Sequence, residues 1–351
     1  MRVLAGDIGG TKTLLAICEV SPPGGREGPV SIEVLASARY DSRKFPGLGA
    51  ICRAFEEEVR QPMPRFAGFG VAGPVANGRS HTTNLPWIVD ARDLARTLGV
   101  ESVCLANDFY ALALGIPAVR PKDLVPLNEG VRDPRGPWAI IGAGTGLGEA
   151  IAMLGDSGAR EVLATEGGHC TFAPRTELEW GVQRFLAQRY DHVSWERVVS
   201  GEGLVNLTEA IAHVTGQKPG DALAGAIAHD RANAPAAVTA GAIAGDALCR
   251  QVVELFCELY GAEAGNLALK TLATGGVFVA GGIAPKILGF ITDGRFRAAF
   301  LDKGRMRVLL EQMPVQLVLD TEAGLLGAAA LAAREAYFLH NPGQTPTTSL
   351  E

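Results

Sequence analysis

Short apolar runs alternate with longer amphipathic stretches along most of the chain. Runs at 2–7, 13–20, 32–40, 66–72 and 101–106 have the length and composition of strands, and helical spacing occupies 47–60, 90–98 and 108–115. That order predicts an α/β lobe. Ser21 to Pro29, with three prolines and three glycines, reads as a solvent loop, while the polar, proline-rich Pro117 to Pro137 is the better crossing between domains. Beyond it, strands at 138–142, 147–154 and 160–165 precede a helical stretch from about 176 to 272, interrupted near His192-Val193-Ser194 and Gly216 to Gly220. Strands return at 277–280 and 315–319, and Glu322 to Leu339 reads as one Ala/Leu helix that packs back on the first lobe. The expected organisation is a small α/β lobe over 1–118 completed by a helix at 322–340, a larger α+β lobe over 119–321, and a flexible tail at 341–351.

Two of the strand-to-strand junctions are dense in glycine. Val3-Leu4-Ala5 runs into Gly6-Asp7-Ile8-Gly9-Gly10-Thr11-Lys12, and a second apolar run starts at Leu14. Adjacent glycines let backbone N–H groups converge on an anion that a Cβ would obstruct, and Thr11 and Lys12 add a hydroxyl and a charge. Asp7 at the strand's end can anchor Mg²⁺ through its waters, because that ion takes few carboxylates alongside phosphate oxygens. An ordinary tight hairpin with a capping Asp accounts for the same residues. The pattern returns about 135 residues later, where Gly142-Ala143-Gly144-Thr145-Gly146-Leu147-Gly148 separates two apolar runs. The spacing fails the dinucleotide fingerprint, and no G-x-x-x-x-G-K-[ST] occurs. Two strand–glycine–strand units suggest a duplicated lobe with two phosphate loops facing each other across a cleft.

Composition narrows the functional classes. With 351 residues, 47% of them hydrophobic and 20% charged, the chain has enough apolar surface for two cores. A net charge of −6 argues against nucleic acid as a partner. The longest apolar stretch, Ala323 to Ala333, is too short to span a bilayer, and Asp7 and Lys12 interrupt any signal-peptide core. No membrane partner and a cytoplasmic location are expected. The six cysteines are scattered without zinc spacing and read as reduced, mostly buried thiols, with Cys170 beside His169 the one to watch for reactivity.

Candidate substrate chemistry lies between and after the glycine turns. Asn107-Asp108 sits where a strand gives way to a helix, the position at which α/β folds hold ligands. An Asp there can take a proton from an attacking hydroxyl, and the Asn can bond neighbouring hydroxyls; helix capping is the plainer role for both. Glu166-Gly167-Gly168-His169 comes after another strand, and carboxylate plus imidazole suits vicinal hydroxyls better than a metal, since no third ligand stands at useful spacing beyond it. Glu196 alone cannot be told from a first-turn glutamate.

Six segments in order, Gly6 to Thr11, Leu105 to Phe109, Gly142 to Gly148, Glu166 to His169, Ser200-Gly201-Glu202-Gly203-Leu204 and Phe278 to Ile283, resemble the bacterial glucokinases over about residues 2–333. The resemblance implies an actin-like, ribonuclease H-like duplicated two-lobe ATPase fold with a cleft between the lobes, usually homodimeric, that moves the ATP γ-phosphoryl group to the 6-hydroxyl of glucose. It implies Asp108 as the base and Asn107, Glu166, His169 and Glu196 as sugar contacts. ATP would lie on Asp7, Gly9, Gly10, Thr11, Lys12, Gly144, Thr145 and Gly146, with Gly281 and Gly282 at the adenosine. Lys12 departs from the asparagine common in the nearest subgroup and resembles the broader repressor/open-reading-frame/kinase sugar kinases. Those usually carry a cysteine-rich zinc motif after their Gly-His segment, where this chain has only Cys170, so zinc is not expected. A kinase for mannose, fructose or an N-acetylhexosamine is the alternative. A non-catalytic sugar-responsive regulator is the rival from another class, and such regulators carry a helix-turn-helix ahead of the body, whereas the first strand here starts at residue 2.

Overall fold

The computed structural model describes residues 1–21, 31–82, 85–155 and 158–340, so most of the loop expected at Ser21 to Pro29 and the whole tail at 341–351 lie outside the described residues. Two compact units are present, one of Met1–Pro121, Ala152–Ala164 and the residues from Glu322 on, the other of Lys122–Ile151 and Thr165–Thr321.

The first unit opens with β1 (Arg2–Ile8), β2 (Lys12–Ser21), β3 (Ser31–Asp41), α1 (Leu48–Val59) and β4 (Phe66–Val71). Three short strands come next, β5 (Val75–Ala76), β6 (Arg79–His81) and β7 (Ile88–Asp90), then α2 (Ala91–Leu98), β8 (Ser102–Asn107) and α3 (Asp108–Gly115). The main sheet has the order β3-β2-β1-β4-β8, with β1 antiparallel to β2 and parallel to β4, and β4 parallel to β8. β1 is apolar nearly throughout because helices cover both faces. Leu4 and Ile8 pack with Ile51 and Phe55 of α1, while Val3 and Ala5 pack against the terminal helix at Leu325, Ala328 and Ala329. Trp87 is buried in the first of these cores.

The second unit repeats this plan. Its sheet and helices are β9 (Leu124–Asn128), β10 (Trp138–Ala143), β11 (Leu147–Leu154), β12 (Arg160–Thr165), α4 (Glu177–Leu186), α5 (Gly201–Thr215), α6 (Asp221–His229), α7 (Ala234–Ala244) and α8 (Ala247–Thr271), although the end of β11 and nearly all of β12 are counted with the first unit. β13 (Gly276–Ala280), α9 (Leu288–Ile291), α10 (Arg295–Leu301), α11 (Arg307–Glu311) and β14 (Val315–Val318) complete it, and α12 (Ala323–His340) belongs to the first unit. The sheet order β12-β11-β10-β13-β14-β9 repeats β3-β2-β1-β4-β8 with one added edge strand.

Three expectations are corrected in detail. The stretch read as helical from 176 to 272 has further breaks at Asp230–Asn233, ahead of Pro235 near the start of α7, and at Gly245, whose φ of +93° ends that helix before Asp246 caps the next. The crossing at Pro117 to Pro137 contains β9, held by the buried Asn128, whose Nδ2 donates to the carbonyls of Leu310 and Met313 at 3.2 and 2.8 Å. The block 119–321 is not uniform, because Ala152–Ala164 falls in the first unit, with Val162 and Ala164 packed on Ala106, Tyr110 and Leu331.

Small residues let α12 approach closely. A Cβ on Gly68 of β4 would strike the Ala328 carbonyl, one on Gly115 the Ala323 carbonyl, and one on Gly327 the Ala111 carbonyl. These are backbone contacts that no side-chain rotation relieves, so glycine is required for close approach rather than for a turn. Among the described residues no helix is long and apolar enough to cross a membrane.

Candidate functional site

In the first unit the parallel strands bring the predicted residues to one sheet edge. Ile8 of β1 pairs with Val71 of β4, which pairs with Asn107 of β8, so Asp7, the turn Gly9-Gly10 and Asn107-Asp108 leave the sheet at the same end. Gly70 lies between Asp7 and Ala106, and a Cβ there would stand 2.9 Å from Ala111 and 3.7 Å from the Asp108 Cα.

The β1–β2 turn is braced from below. Gly9 N–H donates to the Lys12 carbonyl at 2.9 Å, and Ser42 Oγ donates to the Gly9 carbonyl at 2.9 Å while lying 3.0 Å from Thr13 Oγ1. Thr11 and Lys12 are exposed at the tip. Burial lifts the Asp7 carboxyl to about 6, with the Arg39 guanidinium opposing the shift and Glu322 adding to it. A half-buried carboxylate charged at such cost suits a cation that keeps most of its waters. Among the described residues no group of three or more His, Cys, Asp and Glu side chains is arranged to hold a metal.

Asn107 both caps and positions. Its Oδ1 accepts from the N–H groups of Phe109 and Tyr110 at 2.9 and 3.3 Å, and its Nδ2 donates to the Gly73 carbonyl at 3.3 Å. The cap fixes the first turn of α3, in which Asp108 Oδ1 accepts from Phe109 N–H at 3.0 Å. Capping takes up Asn107 Oδ1 and sets the chain direction that brings Asp108 to the strand edge.

The second unit assembles its own set. The turn between β10 and β11 closes with Gly144 N–H donating to the Gly146 carbonyl at 2.8 Å, and Gly201 N–H at the start of α5 donates to the Gly144 carbonyl at 2.8 Å. The positive end of a fifteen-residue helix thus abuts a turn whose Gly144 has open space where a Cβ would be. Glu196 Oε2 accepts from Leu147 N–H at 2.9 Å and fills the space beside Gly146, so this carboxylate holds the turn.

Glu166 and His169 flank a 3₁₀ turn and are exposed, with His169 Nε2 3.8 Å from Glu166 Oε2. Their glycines serve close approach: a Cβ on Gly168 would meet the Leu147 carbonyl, and one on Gly167 the Glu149 carboxylate. The turn lies flat on β11. Its neighbour is the segment carrying Glu196, through Trp195 N–H to the Cys170 carbonyl at 3.0 Å and His192 Nε2 3.1 Å from the His169 carbonyl. After β13, Gly281 has φ +89° and presses on the Ala143 peptide, whereas Gly282 faces open space.

Sequence reasoning missed Ser42, Glu149 and Tyr260. Glu149 is 2% exposed and its Oε1 has no hydrogen-bond partner. A charged residue within the otherwise apolar run Leu147–Leu154 was the available signal. Nothing local distinguishes Ser42 or Tyr260.

The glucokinase family's profile matches residues 4–335. A glucokinase of Nostoc punctiforme is 40% identical over 344 residues, covering 95% of this chain and 99% of that relative. A glucokinase of Synechocystis is also 40% identical, over 95% of this chain and 98% of its own length. Among solved structures, a glucokinase from an Antarctic psychrotroph superposes with a TM-score of 0.79 at 30% identity, covering 95% of this chain and 99% of that one.

Proposed function

Because the chain belongs to the glucokinase family, we propose that it transfers the γ-phosphoryl group of ATP to the 6-hydroxyl of glucose. The observation that carries this reading is the full-length match to a relative named glucokinase at 40% identity. The site geometry supports it. Asp108, fixed by a capped helix at the strand edge, takes the proton of the attacking hydroxyl. Asn107, Glu166 and His169 hold the other hydroxyls, joined by the Glu196 oxygen not engaged by Leu147.

The transition state of phosphoryl transfer is loose, so placement and charge neutralisation dominate. The Gly9-Gly10 and Gly144–Gly146 turns offer backbone N–H groups to the phosphates, with Thr11, Thr145 and Lys12 at the tips, and Gly281-Gly282 flank the adenosine. Asp7 is the residue to hold Mg²⁺ through water, and the bound ion would supply further neutralisation at the phosphates. A solved glucokinase of Streptomyces griseus, 22% identical with a TM-score of 0.63, is described in complex with glucose and AMPPNP.

A coupled assay over a panel of hexoses and phosphoryl donors tests the proposal. ATP with glucose is expected to give the highest kcat/KM. A preference for mannose, fructose or an N-acetylhexosamine, or no turnover with any of them, would overturn it. The homodimer that the resemblance implies is checked on the same preparation by light scattering.

A further inference from the structure

We propose that Tyr260 is a positioning residue for the nucleotide, its hydroxyl tying the ends of β10 and β13 together so that the turns at Gly144 and Gly281-Gly282 keep a fixed spacing. The proposal rests on the reading of those two turns as nucleotide contacts. Tyr260 sits in the middle of α8 and is fully buried. Its hydroxyl accepts from Ala143 N–H at 3.0 Å and lies 2.9 Å from the Ala280 carbonyl and 3.3 Å from that of Ile141.

These partners are where the sheet stops. The last pair of the β10–β13 ladder is Gly142 with Ala280, and the glycine turns begin at the next residues. Beyond that pair, the strands are joined by the hydroxyl on one side of Ala143 and by Ile283 N–H donating to the Ala143 carbonyl at 3.3 Å on the other. Gly281 presses on the same peptide. Ala143 is therefore the point at which both turns hold each other, and its N–H has the phenol as acceptor.

The ring is held as firmly as its oxygen. It packs edge-on against Phe256 and Phe296, with centroids 5.9 and 5.8 Å away. Burial keeps the phenol protonated well above neutrality, so one proton is always available for a carbonyl while the oxygen accepts from Ala143. A phenylalanine would keep the ring and leave a buried N–H without its acceptor, a defect the strand ends relieve by separating.

The test compares three variants in steady-state kinetics and in binding of a non-hydrolysable ATP analogue to the folded protein. Tyr260→Phe is expected to raise KM for ATP about tenfold while KM for glucose changes less than about twofold. Phe256→Leu, one turn earlier on α8, loses packing against the same ring and keeps the hydroxyl; it should lower the melting temperature without raising KM for ATP. Gly282→Val fills open space directly in the turn and should raise KM for ATP whatever Tyr260 does. If Gly282→Val weakens ATP and Tyr260→Phe leaves it within twofold of the parent, the positioning role is wrong and the nucleotide reading survives. If Gly282→Val also leaves ATP unchanged, the nucleotide reading fails and takes this proposal with it. An equal rise in ATP KM for Phe256→Leu and Tyr260→Phe, or an equal rise in glucose KM for Tyr260→Phe, would reduce Tyr260 to a packing residue.

Discussion

Replacing Glu149 by Gln should make the protein more stable, and only above mildly acidic pH. Burial raises the Glu149 carboxyl from the ordinary 4.5 to about 7, with the Glu263 carboxylate adding to the rise and the Lys270 ammonium relieving part of it. Between those two values the folded chain holds a proton that the unfolded chain has released. Stability is therefore complete below about 4.5 and falls as pH rises through about 7, by about 3 kcal/mol for this one group. A neutral amide of the same shape does not titrate, so the difference between variant and parent removes every carboxylate not coupled to Glu149 and leaves its own titration together with its coupling to Glu263. Urea unfolding at pH near 5 should give variant and parent within about 1 kcal/mol, and at pH near 8 the variant should lead by about 2–3 kcal/mol. The reasoning fails if the gap does not widen with pH, or if the parent is the more stable protein at pH near 8. The latter would mean that the carboxylate is ionised and well bonded, against its unpartnered Oε1.

Four further substitutions probe the proposed chemistry and its support. Asp108→Asn should keep the fold and glucose binding but lower kcat by at least about a hundredfold, and turnover near the parent rate would remove Asp108 as the base. Glu166→Ala and His169→Ala should each weaken glucose by about 1–3 kcal/mol while ATP affinity stays constant, as read by calorimetric titration of each ligand. Gly327→Ala forces a Cβ into the Ala111 carbonyl; it should cost about 2 kcal/mol or more in thermal unfolding, and an unchanged melting temperature would mean that the α3–α12 contact yields easily.

The main strands were legible because each is an apolar run bounded by turn residues, and the two glycine turns marked the duplication. What the sequence could not show is how each turn is held. Gly9-Gly10 depends on Ser42, thirty-three residues away from the Gly9 carbonyl it bonds, and Gly144–Gly146 depends on Glu196, forty-nine residues from the Leu147 N–H it accepts. Such pairings arise from tertiary placement and leave no periodic trace. The short strands β5 to β7 escaped because two or three residues are too few for alternation to be read, and β9 escaped because Pro126 stands in its middle, inside a stretch already rich in proline.

The repeat in topology explains why the candidate residues cluster as they do. In each sheet the central strand comes first and turns back in a hairpin, two further strands run parallel to it, and turns leave the parallel strands at a common edge. The edge suits polar ligands because parallel strands end there with N–H groups unpaired by the ladder, and glycine keeps them accessible. The two copies diverge beyond the strand ends. In the first unit the third parallel-running strand ends in Asn107-Asp108, which caps a short helix and places a carboxylate. In the second, the corresponding strand β14 runs through Leu319 to the junction with α12, while the hairpin's far side supplies Glu166 and His169. The carboxylate proposed for proton transfer and the exposed carboxylate–imidazole pair proposed for hydroxyls thus come from different ends of the same plan, which is why neither half of the chain, read alone, carries the whole candidate site.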